Sequence, residues 1–216
     1  MGQVVLDFKS ELPVFDANVA LGRRHDRRVS VDTTEGTLEE MGRAGVDRAV
    51  VYSPHAASFD CQVGNLLLQQ AVKDECRLVP QYVCTPAADD LDSFANQVFE
   101  SRIRSVRIFP KLHNYPFRDW VVKPWLDWLA VDSLPVWIPV DQFDPSELYD
   151  TVKNHPTLSV VLSELHYAQT PWVIPLLRSL PNVYVEISRF FIAGALDRLI
   201  DVIGERRILF GSRFPD

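Results

Sequence analysis

Short, nearly continuous apolar runs recur along this chain at residues 14–20, 48–53, 78–84, 105–109, 134–140, 158–163, 182–187 and 207–211. They are rich in Val, Ile, Tyr and Phe, and each ends in a polar residue. Strands buried on both faces read this way, because neither face can carry an alternating polar set. Between them, helical periodicity appears over 38–44, 65–72, 91–99, 125–129, 148–152, 172–177 and 196–203. Entry signals support these helices. Thr37 and Glu40 have the spacing of a capping box. Asp144-Pro145 and Thr170-Pro171 each set a capping side chain before a proline at the first helical position. Strand and helix alternate throughout, which predicts parallel strands with helical crossovers. Eight such strands favour a closed (β/α)8 TIM barrel over an open doubly wound sheet. The expected organisation is one α/β domain over residues 1–216. Such a barrel commonly takes about 250 residues and ends in a helix after its eighth strand. Here the chain stops soon after the eighth run, so the final helix is expected to be missing, as in a truncated product.

Composition narrows the picture further. The formal net charge is −7, which gives no electrostatic footprint for nucleic acid or an acidic membrane. Arg23, Arg24, Arg27 and Arg28 form the one basic cluster, broken by Asp26, and are read as a solvated loop. No run approaches the roughly 18 apolar residues of a membrane span. The 3 cysteines, Cys61, Cys76 and Cys84, are too widely spaced for a CxxC motif. A cytoplasmic setting follows, with the cysteines as small buried hydrophobes. Trp120, Trp125 and Trp128 have helical spacing, which suits a packing face; a homo-oligomer interface is the other use of such a stripe.

The strand ends carry a resemblance. Val14, Phe15 and Asp16 followed by Asn18 and Ala20 resemble the first-strand motif of the amidohydrolase-related family, the second amidohydrolase group. There, Asp is followed by His-x-His. Residues 134–140 resemble the family's fifth strand, with Pro139 at its ligand His. Residues 158–167 resemble the sixth, with Glu164 at the His position and His166 two residues on. Residues 182–188 resemble the seventh strand. Residues 207–215 are similar to the eighth-strand signature, except that Arg213 replaces the Asp that binds metal and acts as base. The resemblance implies the barrel fold and a metal-dependent hydrolase ancestry. It also implies a divergent member, because alanine and proline carry no donor and arginine sets a fixed positive charge beside the metal position. No metal or other cofactor is therefore expected.

Residues at strand carboxyl ends face the site in this fold. Three readings fit that polar set. Asp16, Glu164 and Glu186 could pair with Arg107, Arg189 and Arg213 in a network that replaces the metal. Alternatively, Arg107, Lys111 and Arg213 form a fork for a small anion, with Glu164 or His166 as the acid–base group. The third is an oxygen-ligand site for a hard cation, built from Asp16, Asn18, Asp141, Glu164 or Glu186. The leading expectation is a barrel that binds a small anionic metabolite with weak or no hydrolysis. Its catalytic candidates are Glu164, His166 and Arg213. Its substrate-binding candidates are Asp16, Asn18, Arg107, Lys111, His113, Asp141, Glu186 and Arg189. The alternatives are an active hydrolase or decarboxylase for a carboxylate-bearing substrate, and a non-catalytic interaction barrel. Of the 5 histidines, His25 and His155 are read as structural or solvated, and His55 as able to reach the mouth.

Overall fold

A computed structural model describes residues 10–216. In chain order the elements are β1 (Phe15–Ala20), α1 (Thr34–Ala44), β2 (Arg48–Tyr52), α2 (Pro54–Ser58), α3 (Cys61–Val72), β3 (Leu78–Pro80) and β4 (Tyr82–Val83). There follow α4 (Leu91–Glu100), β5 (Val106–Arg107), α5 (Asp119–Val131), β6 (Val136–Pro139), α6 (Pro145–Val152) and β7 (Val160–Ser163). The last are α7 (Thr170–Ser179), β8 (Val183–Glu186), α8 (Ala195–Ile203) and β9 (Ile208–Leu209). Every strand pairing is parallel, in the order β1-β2-β3 and β4-β5-β6-β7-β8-β9.

β3 and β4 are the halves of one barrel strand. Pro80 brings no N–H to the ladder, and the strand changes partner there. β3 pairs with β2, β4 pairs with β5, and Gln81 between them still donates its N–H to the Val51 carbonyl at 2.8 Å. The ring closes between the first and last strands. Ala17 donates to Phe210, Arg213 to Asn18 and Ala20 to Phe214, each over 2.9 Å. The structure is thus the (β/α)8 TIM barrel expected, with all eight runs in the wall.

The helices pack outside it. Phe117, Leu126, Leu148, Leu162 and Leu177 are buried in the larger core, and Val19, Met41, Val51 and Leu68 in a smaller one beneath α1 and α3. Each fully buried side chain of this size contributes about 1.5–3 kcal/mol, which holds the helices to the sheet. Trp125 is buried, Trp128 half-buried and Trp120 exposed, so the tryptophan stripe is a packing face over two of its three positions. Among the described residues, no helix is long and apolar enough to cross a membrane.

Three local expectations change. The first helix begins a turn earlier than the capping box implied: Thr33 is its N-cap and accepts from the Gly36 N–H, while Thr37 lies inside and donates back to the Thr33 carbonyl. A side chain that bonds its own helix i−4 carbonyl cannot cap. Gln169, not Thr170, takes the N-cap place of α7 and makes no side-chain cap, whereas Asp144 caps α6 as expected. Of the cysteines only Cys84 is buried; Cys61 is half-buried and Cys76 exposed.

Candidate functional site

The barrel interior is polar where branched apolar layers are usual. Asp16 and Asn18 on β1, Gln81, Arg107 on β5 and Glu186 on β8 are all at most 3% exposed. Strand alternation points them inward. Glu186 anchors the cluster. Its carboxylate accepts from Asn18 Nδ2 at 2.8 Å, from the Glu164 N–H at 3.0 Å, from Ser188 Oγ at 3.1 Å and from the Ser188 N–H. Burial nevertheless pushes its pKa up, opposed by those bonds. Asp16 accepts from the N–H groups of Asn18 and Ser212 at 3.0 and 2.9 Å, and burial raises it too.

Arg107 completes the cluster from the other side. Its Nε donates to Gln81 at 2.7 Å and its Nη2 to Asn18 Oδ1 at 3.0 Å. The guanidinium lies 4.1 Å from the centre of the Tyr52 ring, a cation–π contact. Its Nη1 has no hydrogen-bond partner among the described residues. Full burial lowers its pKa and raises that of Tyr52. Asn18 thus links a buried cation to a buried anion, donating to Glu186 and accepting from Arg107.

Above this cluster lies a cavity of about 210 Å³, lined by Tyr52, Phe109, Pro139, Glu164, Arg213, Asp141 and the arginine loop. Glu164 follows β7 and Arg213 follows β9, both with left-handed backbone, φ 61° and 60°. Such angles cost a non-glycine residue on the order of 1–3 kcal/mol, and here they aim two opposite charges at one another. Arg213 Nε lies 2.9 Å from Glu164 Oε2, close enough to pair charge though misaligned for a hydrogen bond. Arg213 Nη2 also reaches Asp216 Oδ2 at 3.1 Å.

The arginine loop is not merely solvated. Arg24 pairs with Asp26 at 2.9 Å and with Asp216 at 3.2 Å, with 16% of its side chain exposed. Its hydrogen bonds to Asp26 raise Arg24 and hold the Asp26 carboxyl well below the usual range. Arg27 stands 3.6 Å from Asp216. His25 lines the same cavity. Asp26, read as breaking the basic cluster into a solvated loop, pairs with Arg24 and Arg27 where the loop lines the barrel mouth.

The remaining candidates separate. Asp141 lines the cavity and accepts only from Gln142 Nε2 at 3.2 Å, with no cation paired to it among the described residues. Lys111 is exposed and does not line it. His113 bridges the loop after β4 and α2: Nδ1 meets Thr85 Oγ1 at 2.8 Å and Nε2 meets the Ala57 carbonyl at 2.7 Å. The carbonyl can only accept, so Nε2 carries the proton and both ring nitrogens are used. His166 caps a 3-10 turn, its Nδ1 accepting from the Ala168 N–H at 3.2 Å, and it lies outside the cavity lining. Arg189 is joined to His166 by a backbone bridge and has no ion pair among the described residues. Of the charge network expected, Arg189 stands apart and the other members associate in part. Glu164 and Arg213 pair directly, Glu186 and Arg107 communicate through Asn18, and Asp16 is held by backbone N–H groups. His155 is buried, 3.2 Å from Asp127 and 3.6 Å from Asp119.

The residues at the family's ligand places do not fit a zinc ion. Ala20 and Pro139 offer no donor, Asn18 is committed to Glu186 and Arg107, and Glu164 faces the Arg213 guanidinium. Among the described residues, no three His, Cys, Asp or Glu side chains converge as a metal-binding group.

The amidohydrolase family model matches residues 15–216, and the chain belongs to that family. Its fold is shared with an uncharacterized TIM-barrel protein from Bordetella bronchiseptica, at 16% identity and TM-score 0.74, covering 94% of this chain and 86% of the other. A 4-oxalomesaconate hydratase from Rhodopseudomonas palustris is similar at 16% identity and TM-score 0.72, covering 94% and 82%. A 2,6-dihydroxybenzoate decarboxylase, in complex with 2,6-dihydroxybenzoate, is similar at 14% identity and TM-score 0.69, covering 94% and 87%. No curated protein sequence matches the chain. Arg24, Arg27, Tyr52 and Asp216 are the mouth residues that sequence reasoning missed. An acid directly after the eighth-strand signature was the available signal for Asp216.

Proposed function

We propose that this member of the amidohydrolase family works without a metal, binding a small carboxylate-bearing metabolite at the barrel mouth with weak or no hydrolysis. The observation that carries the reading is the Glu164–Arg213 ion pair at strand ends that would otherwise hold metal. A guanidinium there supplies fixed positive charge for a ligand anion and removes any means of activating water by a Lewis acid. The cavity of about 210 Å³ suits a metabolite rather than a larger ligand. Two fold relatives bear names of carboxylate-bearing molecules, which agrees with this ligand class. Catalytic candidates at the mouth reduce to Glu164 and Arg213, since His166 lies outside the cavity lining.

The test is elemental mass spectrometry on protein offered zinc, manganese and magnesium, followed by calorimetric titration with small carboxylates. Binding of a carboxylate with no stoichiometric metal is expected. A stoichiometric divalent ion would overturn the metal-independent reading. A second reading, a non-catalytic interaction barrel, is favoured by the closure of Arg24 and Arg213 on internal carboxylates. Absence of any small-carboxylate binding would select it.

A further inference from the structure

Three guanidinium groups converge on one carboxylate. Arg24 Nη1 and Arg213 Nη2 approach Oδ2 of Asp216 at 3.2 and 3.1 Å, and Arg27 Nη1 approaches Oδ1 at 3.6 Å. The Asp216 side chain is 3% exposed. Arg24 and Arg27 come from the loop after β1, whereas Arg213 follows β9, so the chain brings together cations from opposite ends of its sequence. Asp26 satisfies another side of Arg24 and lies 3.3 Å from Arg27 Nε, and Glu164 satisfies another side of Arg213. Asp216 is the one anion shared by all three, because guanidinium groups this close repel unless a negative charge sits between them. Both oxygens of Asp216 are engaged, by different arginines, which is the pattern a two-oxygen planar anion satisfies. All three arginines also line the 210 Å³ cavity, whose Tyr52, Phe109 and Pro139 walls could receive the rest of a small molecule.

We propose that Arg24, Arg27 and Arg213 form a carboxylate-binding site and that the Asp216 side chain is its internal occupant, which a ligand carboxylate displaces. This rests on the reading of the mouth as a ligand site and specifies where the anion goes. A tethered occupant acts at an effective concentration in the millimolar range, so the unaltered chain binds simple carboxylates weakly. Withdrawal of Asp216 leaves three cations facing an opening that a carboxylate from solution fills. The occupant is a self-competitor that sets the threshold at which ligand binds.

The experiment titrates the full chain, Asp216→Ala and Asp216→Asn with acetate, propionate and inorganic phosphate, by calorimetry and by the ligand-dependent rise in melting temperature. Asp216→Asn keeps the side-chain shape and removes the charge, so it reports even if Asp216→Ala fails to fold. Both variants are expected to bind acetate and propionate about tenfold more tightly than the unaltered chain, or better. Adding Arg24→Met to either variant should abolish the gain. Equal affinity across unaltered chain and variants would overturn the occupant role while leaving small-carboxylate binding standing. Binding by none of the three would overturn both readings. A larger gain for phosphate than for either carboxylate would overturn the assignment of ligand class.

Discussion

Gly211 sits where β1 and the segment after β9 press on the buried carboxylate. A Cβ there would meet Glu186 Cδ at 2.6 Å and Asn18 Cβ at 2.9 Å, in a cluster with no free space to yield. Gly211→Ala should destabilise the fold by about 1–3 kcal/mol, the usual cost of overpacking, read from denaturant midpoints. Glu186→Gln tests the same cluster chemically. Four donors face the carboxylate, and an amide group would turn its own donors on some of them. The expected cost is about 1–3 kcal/mol. Its pH dependence has a defined sign. The folded pKa of Glu186 is raised above 4.5, so the native state holds the extra proton and stability from this group is present below 4.5. That stability is lost as pH rises through the raised folded value. The advantage of the unaltered chain over Glu186→Gln should therefore widen as pH falls toward 4.5. A gap that narrows on acidification would reverse the assignment.

Elements show what the one-dimensional pattern could and could not carry. All eight strands were visible because each is a short, nearly continuous apolar run, and most helices because their period is local. The break between β3 and β4 was not, since Pro80 reads as one residue in a run, while its consequence is a change of partner strand. The repair is also distant. Asn65, buried on α3, donates Nδ2 to the Val83 carbonyl at 2.8 Å and accepts the Val83 N–H at 2.9 Å, acting as a strand would. Asn65→Ala leaves both backbone groups unpaired in a closed interior and should cost about 2–4 kcal/mol in denaturation experiments. α2, only Pro54–Ser58, escaped the periodicity because one turn and a half has no period to display. Its contact with α3 depends on Gly64, whose absent side chain admits the Ala56 backbone. At the site, Glu164 and Arg213 could be named from strand-end positions alone. Arg24 could not, because its partner Asp216 lies 192 residues away and only the closed ring brings them together.

At the scale of the whole molecule, the barrel keeps the family's scaffold and closes its strand ends with ion pairs and hydrogen-bonded charges. Arg213 pairs with Glu164 and shares Asp216 with Arg24 and Arg27, and Arg107 answers Glu186 through Asn18. Restoring one acid at the eighth strand should consequently do harm rather than recover a metal site. Arg213→Asp would gather carboxylates beside Glu164 and Asp216 with Arg24 and Arg27 as the nearby cations. Because the Arg213 side chain is 28% exposed, the loss should be about 1–3 kcal/mol rather than the larger cost of a fully buried pair. Zinc should not rescue that variant, since Ala20 and Pro139 still contribute no donor and a catalytic zinc needs about three protein ligands. The measurement is the melting temperature of the unaltered chain and of Arg213→Asp, each with chelator and with added zinc. No metal dependence in the first, and a fall in the second that zinc leaves in place, are the expected results. A zinc-dependent recovery of Arg213→Asp would mean that the mouth retains a metal-binding geometry beneath its ion pairs, and the charge network would then be a cover over that site rather than its replacement.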